Sequence, residues 1–227
     1  MQPYFFPYIG YYQLIDSVDA FIVYDQIQYT KKGWINRNKI KLDNKIINIT
    51  LPLAKDSSIL NINQRYISES WPLSRKKIIN QIESSYQKTE YYAEIFQLII
   101  KILHYDDSRL DRFLLNSIIE INKYLGIETK IIISSELEKN SVKNKGEKRV
   151  ISLVKKCGGN TYVNLSGGTG LYNKNTFSQN GIELKFLSSI LVESNIKKNI
   201  PNLSIIDLLM HNSIEKIRRM LQEYKLF

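Results

Sequence analysis

The sequence predicts an α/β protein with a three-layer core, a mostly parallel sheet and an α-helical insertion. Short apolar runs rich in β-branched residues alternate with helical segments at both ends of the chain, which is typical of parallel strands joined by helices. The middle of the chain, about 69–126, has helical periodicity alone. A chain of 227 residues is long enough to bury one large core. We therefore predict a single domain over 1–227, with its α/β core at about 1–68 and 127–227.

The clearest predicted strand is AFIVY, residues 20–24, which is apolar throughout and bounded by Asp19 and Asp25. A continuous apolar run of this length is typical of a strand that is buried on both faces. Four further strands are predicted at 46–51, which ends at Pro52, and at 130–134, 161–165 and 182–187.

Helices are predicted before, between and after these strands. A short helix is expected at 9–18, ahead of the first strand, and another at 147–157. The last helix is expected to begin at Ser204, where Asp207 has the spacing of a capping box, and to run on as one amphipathic helix to Leu221.

Three helices are predicted in the insertion. The first is opened by Ser70 and Pro72, and the second carries apolar residues at helical spacing from Tyr92. The third begins at Ser108, close to a capping box with Asp111, and ends before Gly126.

Charge and residue content limit the classes of function. The net charge of +10 is compatible with nucleic-acid binding, but lysine is spread along the chain, and alanine occurs three times, as AT-rich codon usage produces. We interpret the charge as compositional, with an anionic small ligand such as a sugar nucleotide as the next explanation. With one cysteine, Cys157, and two histidines, His104 and His211, no metal site is expected. The chain has no signal-peptide pattern and no apolar run of the ~20 residues that cross a bilayer, so we expect a cytoplasmic protein without membrane insertion.

The N-terminal loop is unusually aromatic. Two prolines and a glycine restrict its backbone between Pro3 and Gly10, and its tyrosines at 4, 8, 11 and 12 cannot all point into the core. A rigid loop ahead of a helix forms one wall of a ligand crevice in doubly wound folds. The residues alone leave this hypothesis level with a simpler one, in which the loop only caps the core.

Polar side chains follow the first predicted strand, at the carboxyl end where open α/β sheets bind their ligands. Asp25 is a candidate base or amine-binding carboxylate, and the planar fork of Arg37 suits a carboxylate or phosphate. The alternative is a solvated polar loop in which Trp34 closes the edge of the core. The segment contains Asp25, Gln28, Tyr29, Lys31, Lys32, Trp34, Asn36, Arg37 and Asn38.

A glycine-rich SGGTG segment at 166–170 follows the fourth strand. Its backbone N–H groups could approach a phosphate as a nest, and a plain flexible turn is an equally good interpretation. It matches neither a Walker loop nor a dinucleotide fingerprint. Lys148 and Arg149 are interpreted as part of a solvated helix face.

Several motifs together resemble the WbqC-like protein family. They are Gln2-Pro3, Phe-x-Pro-x-x-Gly-Tyr, Asp-x-x-Gln-Tyr from Asp25, Gly-Trp-x-Asn-Arg-Asn from Gly33, TYVNLSGGTGLY and PNLSIIDLL. The resemblance implies a role in making sugars of bacterial surface polysaccharides of the O-antigen type, and a glycine transfer onto an amino sugar has been suggested for the family. The family positions that this chain matches are Gln2, Pro3, Tyr11, Asp25, Gln28, Tyr29, Asn36, Arg37, Ser166, Gly167 and Asp207.

We therefore predict an aminoacyl (glycine) transferase or amide-forming ligase that acts on a nucleotide-linked amino sugar. Its catalytic residues would be Asp25, Gln28 and Arg37. The glycyl donor would be an adenylate made with ATP, or a thioester. The predicted substrate-binding residues are Gln2, Tyr4, Tyr8, Tyr11, Tyr29, Trp34, Asn36, Asn38, Ser166, Gly167, Gly168 and Tyr172. The competing hypothesis is a non-catalytic module that binds nucleotides or nucleic acids with a basic, tyrosine-rich surface.

Two departures from the family pattern add expectations. Family members usually have a short apolar strand before the Gln-Pro pair, so either a first strand is missing ahead of Met1 or the start is misassigned. The family also often has a second acid where this chain has Gln26. A mechanism with two carboxylates is therefore not expected to apply.

Overall fold

The computed structural model describes residues 1–43, 45–138, 145–192 and 202–227. Its strands are β1 (Ala20–Val23), β2 (Arg37–Leu42), β3 (Lys45–Thr50), β4 (Lys130–Ile133), β5 (Thr161–Leu165), β6 (Glu183–Ser189) and β7 (Tyr224–Leu226). Its helices are α1 (Ile9–Asp16), α2 (Trp71–Tyr86), α3 (Tyr92–Leu103), α4 (Leu110–Leu125), α5 (Ser134–Leu137), α6 (Gly146–Lys156), α7 (Lys174–Gln179), α8 (Ile205–His211) and α9 (Ile214–Leu221). Two 3₁₀ helices lie at Ile62–Gln64 and Ser166–Leu171. The predicted α/β class is confirmed.

The central strands pair in parallel, as predicted. β1 pairs with β4, with Phe21 opposite Ile131, and β5 pairs with β6, with Val163 opposite Lys185. The added pairs are antiparallel: β2 with β3, and β7 with β6. Within the described residues the strands form three separate small sheets rather than one continuous sheet.

Helices cover both faces of the β5–β6 pair. Leu187 belongs to the main hydrophobic core, which also contains the buried residues of α1. Leu184 and Phe186 belong to a second cluster, which is completed by residues of α6 and α7. Because successive side chains of a strand point to opposite faces, this arrangement has three layers around β5 and β6.

The predicted insertion forms helices α2–α4 and shares the main core with the rest of the chain. The buried Tyr86 at the end of α2 donates a hydrogen bond of 3.0 Å from its hydroxyl to the Asp207 carboxylate on α8. Asp207 does not form the capping box interpreted from the sequence, because the Ser204 N–H donates to the carbonyl of Lys39 instead. Ser204 itself caps α8, since its hydroxyl accepts from the N–H of Ile206.

Several element predictions need correction. The C-terminal segment is two helices instead of one, because Ser213 starts a new helix by accepting from the N–H of Lys216. The helix predicted from Ser108 has Arg109 at its N-cap without a side-chain cap. Strands β2 and β7 and helices α5 and α7 were not predicted, and Pro201 of the PNLSIIDLL motif lies outside the described residues.

A slot separates the edges of β1 and β5. Both strands line it with consecutive residues, 19–22 and 161–164, and its volume is about 390 Å³. Met1 reaches its rim by donating from its amine to the carbonyl of Ile22 and by accepting from the N–H of Tyr24, both at 2.7 Å. This is the bonding pattern of a parallel strand pair, so Met1 lies beside β1 as a neighbouring strand would.

Candidate functional site

A cavity of about 440 Å³ opens where β1 and β5 end. Its wall combines the N-terminal loop, the residues after these two strands, and one face of α6. Aromatic and aliphatic side chains dominate, and among the described residues none that lines the cavity is Asp, Glu, Lys, Arg or His. The wall consists of Met1, Gln2, Tyr4, Tyr8, Ile22, Tyr24, Ile27, Trp34, Val150, Leu153, Val154, Tyr162, Asn164, Leu165, Gly167, Gly168, Leu171 and Tyr172.

The N-terminal loop is held in a strained conformation. Phe6 has a φ of 45°, in the left-handed region that an aromatic residue rarely adopts. Its carbonyl accepts from the Asn38 side-chain amide at 2.7 Å and from the Ser204 hydroxyl at 2.9 Å. Such strain persists where the surroundings fix it, and here it sets the path of the loop that carries Gln2, Tyr4 and Tyr8.

Tyr8 lies over the first turn of α1. A Cβ atom at Gly10 would be 2.6 Å from the Tyr8 ring, so the glycine makes room for it. Burial, with a smaller contribution from Tyr4, raises the pKa of Tyr8 to about 12. Tyr8 therefore lines the cavity as a neutral phenol. Tyr11 is fully buried instead, and its hydroxyl donates to the carbonyl of Gln2.

The SGGTG segment forms part of the wall but not a phosphate nest. Residues 166–171 form a 3₁₀ helix, and Gly167, Gly168 and Gly170 are not among the residues with positive φ. A nest needs alternating right- and left-handed backbone, so that interpretation is wrong. Gly168 is needed for close packing, because a Cβ there would be 2.9 Å from the Asn164 side-chain nitrogen.

Three tyrosines from separate parts of the chain line the wall: Tyr24, which follows β1, Tyr162, which lies in β5, and Tyr172, which follows the 3₁₀ helix. The rings of Tyr162 and Tyr172 are 5.5 Å apart, and Tyr162 stacks on Phe177. Burial raises the pKa of Tyr24, and burial followed by the nearby Tyr172 raises that of Tyr162 well above its usual value. All three groups are in contact with the cavity.

Arg149 lies behind Tyr24. Its guanidinium carbon is 4.8 Å from the Tyr24 ring centroid, and its Nη2 donates to the side-chain oxygen of Gln26. Glu138 is 3.4 Å away, and the Arg149 side chain is 3% exposed. The interpretation of Arg149 as part of a solvated helix face is therefore wrong. Lys148, the neighbouring residue, is exposed as expected.

Trp34 brings positive charge to the cavity rim. Its side chain is 41% exposed, and its ring lies 5.2 Å from the Lys39 ammonium and 6.0 Å from the Arg37 guanidinium carbon. Cations at these distances are attracted to the indole face. The predicted residue Trp34 thus lines the cavity, whereas Arg37 lies beside its rim.

Asp25 does not line the cavity. It is 1% exposed, and its carboxylate accepts from the Ser134 hydroxyl at 2.6 Å, the Ser135 N–H at 3.0 Å and the Asn63 side-chain amide at 3.1 Å. These bonds tie the end of β1 to the end of β4. The structure thus places the predicted base where its oxygen atoms are already satisfied by the protein.

The other polar residues after β1 bind backbone groups. The Arg37 fork donates to the carbonyls of Gly33 and Lys32. Asn36 accepts from the Tyr29 hydroxyl and donates to the carbonyl of Leu51. These side chains, like that of Asn38, hold loops together and do not reach the cavity. The structure also leaves Gln28 outside the cavity, bonded to the carbonyl of Ser58.

The predicted substrate-binding residues therefore fall into two groups. Those that line the cavity are Gln2, Tyr4, Tyr8, Trp34, Gly167, Gly168 and Tyr172. Those outside its wall are Tyr11, Tyr29, Asn36, Asn38 and Ser166. Sequence reasoning missed Tyr24 and Tyr162, although Tyr24 ends the AFIVY run and therefore stands at the carboxyl end of a predicted strand. The lining residues of α6 had no sequence signal beyond helical periodicity.

Comparisons with known proteins establish the family of this chain. A family model described as the WbqC-like protein family matches residues 2–219. The chain belongs to the WbqC-like protein family. It is also 30% identical over 190 residues to the "Uncharacterized protein Rv1507c" of Mycobacterium tuberculosis (strain ATCC 25618 / H37Rv), covering 81% of this chain and 78% of that protein. No solved structure matches the chain.

The described residues also limit the kinds of ligand and membrane contact that the structure supports. Over 1–43, 45–138, 145–192 and 202–227, no group of three or more His, Cys, Asp or Glu residues is arranged to hold a metal ion. In the same part of the chain, the helices are too short or too polar for any of them to cross a membrane.

Proposed function

We propose that this WbqC-like protein binds a nucleotide-linked amino sugar in the cavity that opens where β1 and β5 end, and that it transfers a glycyl group to the sugar amine. The observation that carries the binding step is the cavity itself: an aromatic wall with positive charge at one rim. Small-molecule sites are typically concave, mostly apolar, and supplied with a few polar groups that orient the ligand. The glycyl transfer rests on the family resemblance.

The positive rim at Trp34 suits the phosphates of the ligand. Lys39 and Arg37 flank the indole, and Lys31 and Lys32 are exposed in the turn before it. A diphosphate at this rim would meet cations without having to enter the uncharged interior of the cavity. The sugar or base would then lie against the aromatic wall.

The uncharged wall also favours the chemistry at the amine. Among the residues that the structure describes, no lining side chain carries a carboxylate, so a sugar amine against this part of the wall meets no acidic partner that would hold it as an ammonium ion. Burial without such a partner lowers the pKa of an amine and favours its neutral, nucleophilic form. The nitrogen would attack the carbonyl carbon of the activated glycyl group. An amide bond would form, the bond to phosphate or sulfur would break, and the amine proton would pass to the leaving group or to water.

In this proposal Asp25 is a positioning residue rather than the base. Its three hydrogen bonds fix the turn after β1, which carries Tyr24 into the cavity wall on one side. Gln28 and Arg37 would likewise act through the loops they hold. The glycyl donor, whether an adenylate made with ATP or a thioester, has no binding group assigned to it among these residues.

The competing hypothesis, a nucleic-acid-binding module, would need exposed rings on which bases stack. Four of the tyrosines are buried: Tyr11, Tyr12, Tyr29 and Tyr86. The burial of these rings disfavours base stacking on them.

Calorimetric titration of the protein tests the binding step. The panel comprises UDP-, dTDP- and GDP-linked amino sugars, UDP-glucosamine among them. A short RNA is titrated separately as the ligand expected under the competing hypothesis. We expect saturable binding of at least one amino sugar nucleotide that depends on the sugar. Absence of binding to the whole panel, together with RNA binding that falls steeply with salt, would contradict the proposal. Mass spectrometry of mixtures that also contain glycine with ATP, or a glycyl thioester, would then detect the amide product.

A further inference from the structure

We propose that Tyr24, Tyr162 and Tyr172 form the part of the cavity that hydrogen-bonds the hydroxyl groups of the sugar, and that the buried Arg149 is the positioning residue that holds Tyr24 there. The proposal rests on the function proposed above. It names which part of the ligand this wall recognises and which residue behind the wall controls it.

The geometry brings the phenols together from separate parts of the chain. Tyr24 follows β1, Tyr162 lies in β5, and Tyr172 follows the 3₁₀ helix of residues 166–171. All three line the cavity, and Phe177 stacks on Tyr162 from the side of the second hydrophobic cluster. A fixed set of phenols can present flat apolar faces and hydroxyl groups to the same ligand.

The chemistry of this cluster suits a neutral ligand with several hydroxyl groups. A protonated phenol both donates and accepts hydrogen bonds, as a sugar hydroxyl does. Burial raises the pKa of Tyr24 and of Tyr162, which keeps both protonated near neutral pH. A phosphate would gain little here compared with the rim at Trp34, where Lys39 lies over the indole ring. The sugar is therefore assigned to the three tyrosines, and the diphosphate to that rim.

Arg149 is placed to act on Tyr24 and not on the ligand. Its side chain is 3% exposed and does not line the cavity. It contacts Tyr24 through the ring, Gln26 through a hydrogen bond, and Glu138 through an ion pair. The Arg149 guanidinium thus links Tyr24 and Gln26 to Glu138, which caps the end of α5. The planar group can satisfy these contacts at once, which a lysine ammonium cannot do.

The test is a double-mutant cycle read by calorimetric titration with two probes. The first probe is the tightest-binding amino sugar nucleotide of the panel, and the second is the same nucleoside diphosphate without its sugar. The variants are Tyr24→Phe, which keeps the ring and removes the hydroxyl, Arg149→Lys, and both together. Lys148→Met, at the exposed neighbouring position on α6, is the control. Melting temperatures are recorded for each protein.

We expect Tyr24→Phe to weaken binding of the sugar-linked probe about 3- to 10-fold, the effect of one lost hydrogen bond, and to leave binding of the nucleoside diphosphate unchanged. Arg149→Lys should likewise weaken binding of the sugar-linked probe and leave binding of the nucleoside diphosphate unchanged. The double variant should bind the sugar-linked probe no more weakly than the more affected single variant does. A residue with a merely structural role would weaken both probes alike. Lys148→Met should change neither.

The outcomes separate this proposal from the previous one. If the unaltered protein binds no amino sugar nucleotide, the proposed function fails. If it binds one and Tyr24→Phe leaves the preference for the sugar-linked probe unchanged, the assignment of the sugar to the three tyrosines is overturned while the proposed function stands. If the two single effects add in the double variant, Arg149 does not act through Tyr24.

Discussion

The polar segment after β1 and the aromatic wall of the cavity differ in what their side chains bind. In the polar segment, Asp25, Asn36, Arg37 and Asn38 use their hydrogen-bonding groups on the protein itself. In the wall, Tyr24 and other aromatic residues present their surfaces to an open cavity.

This difference shows that residue type alone does not identify a ligand site. Polar residues at the carboxyl end of a strand also bind backbone groups that loops leave unpaired, since such groups are costly to bury. Here the polar segment is the scaffold, and the aromatic residues it supports are the site. The comparison predicts that changes in the scaffold affect stability first, whereas changes in the wall affect ligand binding first.

The largest effect is expected for Asp25→Asn. The new amide would place a donor among three existing donors, from Ser134, Ser135 and Asn63. Losing charge-assisted bonds at a buried site costs about 3 kcal/mol of unfolding free energy, or roughly 6–12 °C in melting temperature. Thermal unfolding measures it, with the exposed Asp19→Asn as the control. A normal melting temperature with turnover reduced by about 10²- to 10⁴-fold would instead identify Asp25 as a general base.

A smaller loss of stability is expected for Asn38→Ala. The Asn38 amide donates to the carbonyls of Phe5 and Phe6, and it helps to hold the left-handed backbone of Phe6. Removing it should lower the unfolding free energy by about 1–3 kcal/mol. Asn48→Ala, at an exposed position on the paired strand β3, should change it by less than ~0.5 kcal/mol. Equal effects in urea unfolding would show that the N-terminal loop does not depend on Asn38.

The smallest effect in the scaffold is expected for Arg37→Lys. The Arg37 fork holds two carbonyls of the turn before Trp34, and the charge that it brings to the rim is retained by lysine. We expect a loss of about 0.5–1 kcal/mol in stability and at most a few-fold weaker binding of an amino sugar nucleotide. A loss on the order of 1–3 kcal/mol in binding would show that the fork itself grips the ligand.

Much of the fold could be predicted from periodicity. Strand β5 has the predicted bounds, β1 and β4 are one residue shorter than predicted, and α4 ends before Gly126, which adopts a left-handed conformation. β2 was missed because apolar and polar residues alternate only weakly in its sequence, RNKIKL, and its polar residues suggested a loop. Its pairing with β3 turns Asn38 inward, and no local pattern records that.

The site could be predicted only in part, for a physical reason. The location after β1 and β5 follows from strand order, and so does the inclusion of Gly168. The inclusion of Tyr4 and Tyr8 follows from the rigid aromatic loop ahead of α1. The burial of Arg149 depends on Gln26, which is 123 residues away in sequence, and on Glu138. Contacts over such separations are set by tertiary packing, so the sequence around Arg149 is indistinguishable from an exposed helix face.

Calorimetric titration with the tightest-binding amino sugar nucleotide, comparing Trp34→Ala with Tyr66→Ala, tests the central claim most directly. Both rings are partly exposed, at 41% and 50%, but Trp34 lines the cavity and Tyr66 does not. If the cavity is the binding site, Trp34→Ala should weaken binding by about 0.5–2 kcal/mol, because it removes the ring against which Lys39 and Arg37 are held at the rim, and it should leave the melting temperature nearly unchanged, while Tyr66→Ala should bind normally. Equal affinities for Trp34→Ala and the unaltered protein would contradict the assignment of the ligand to this cavity.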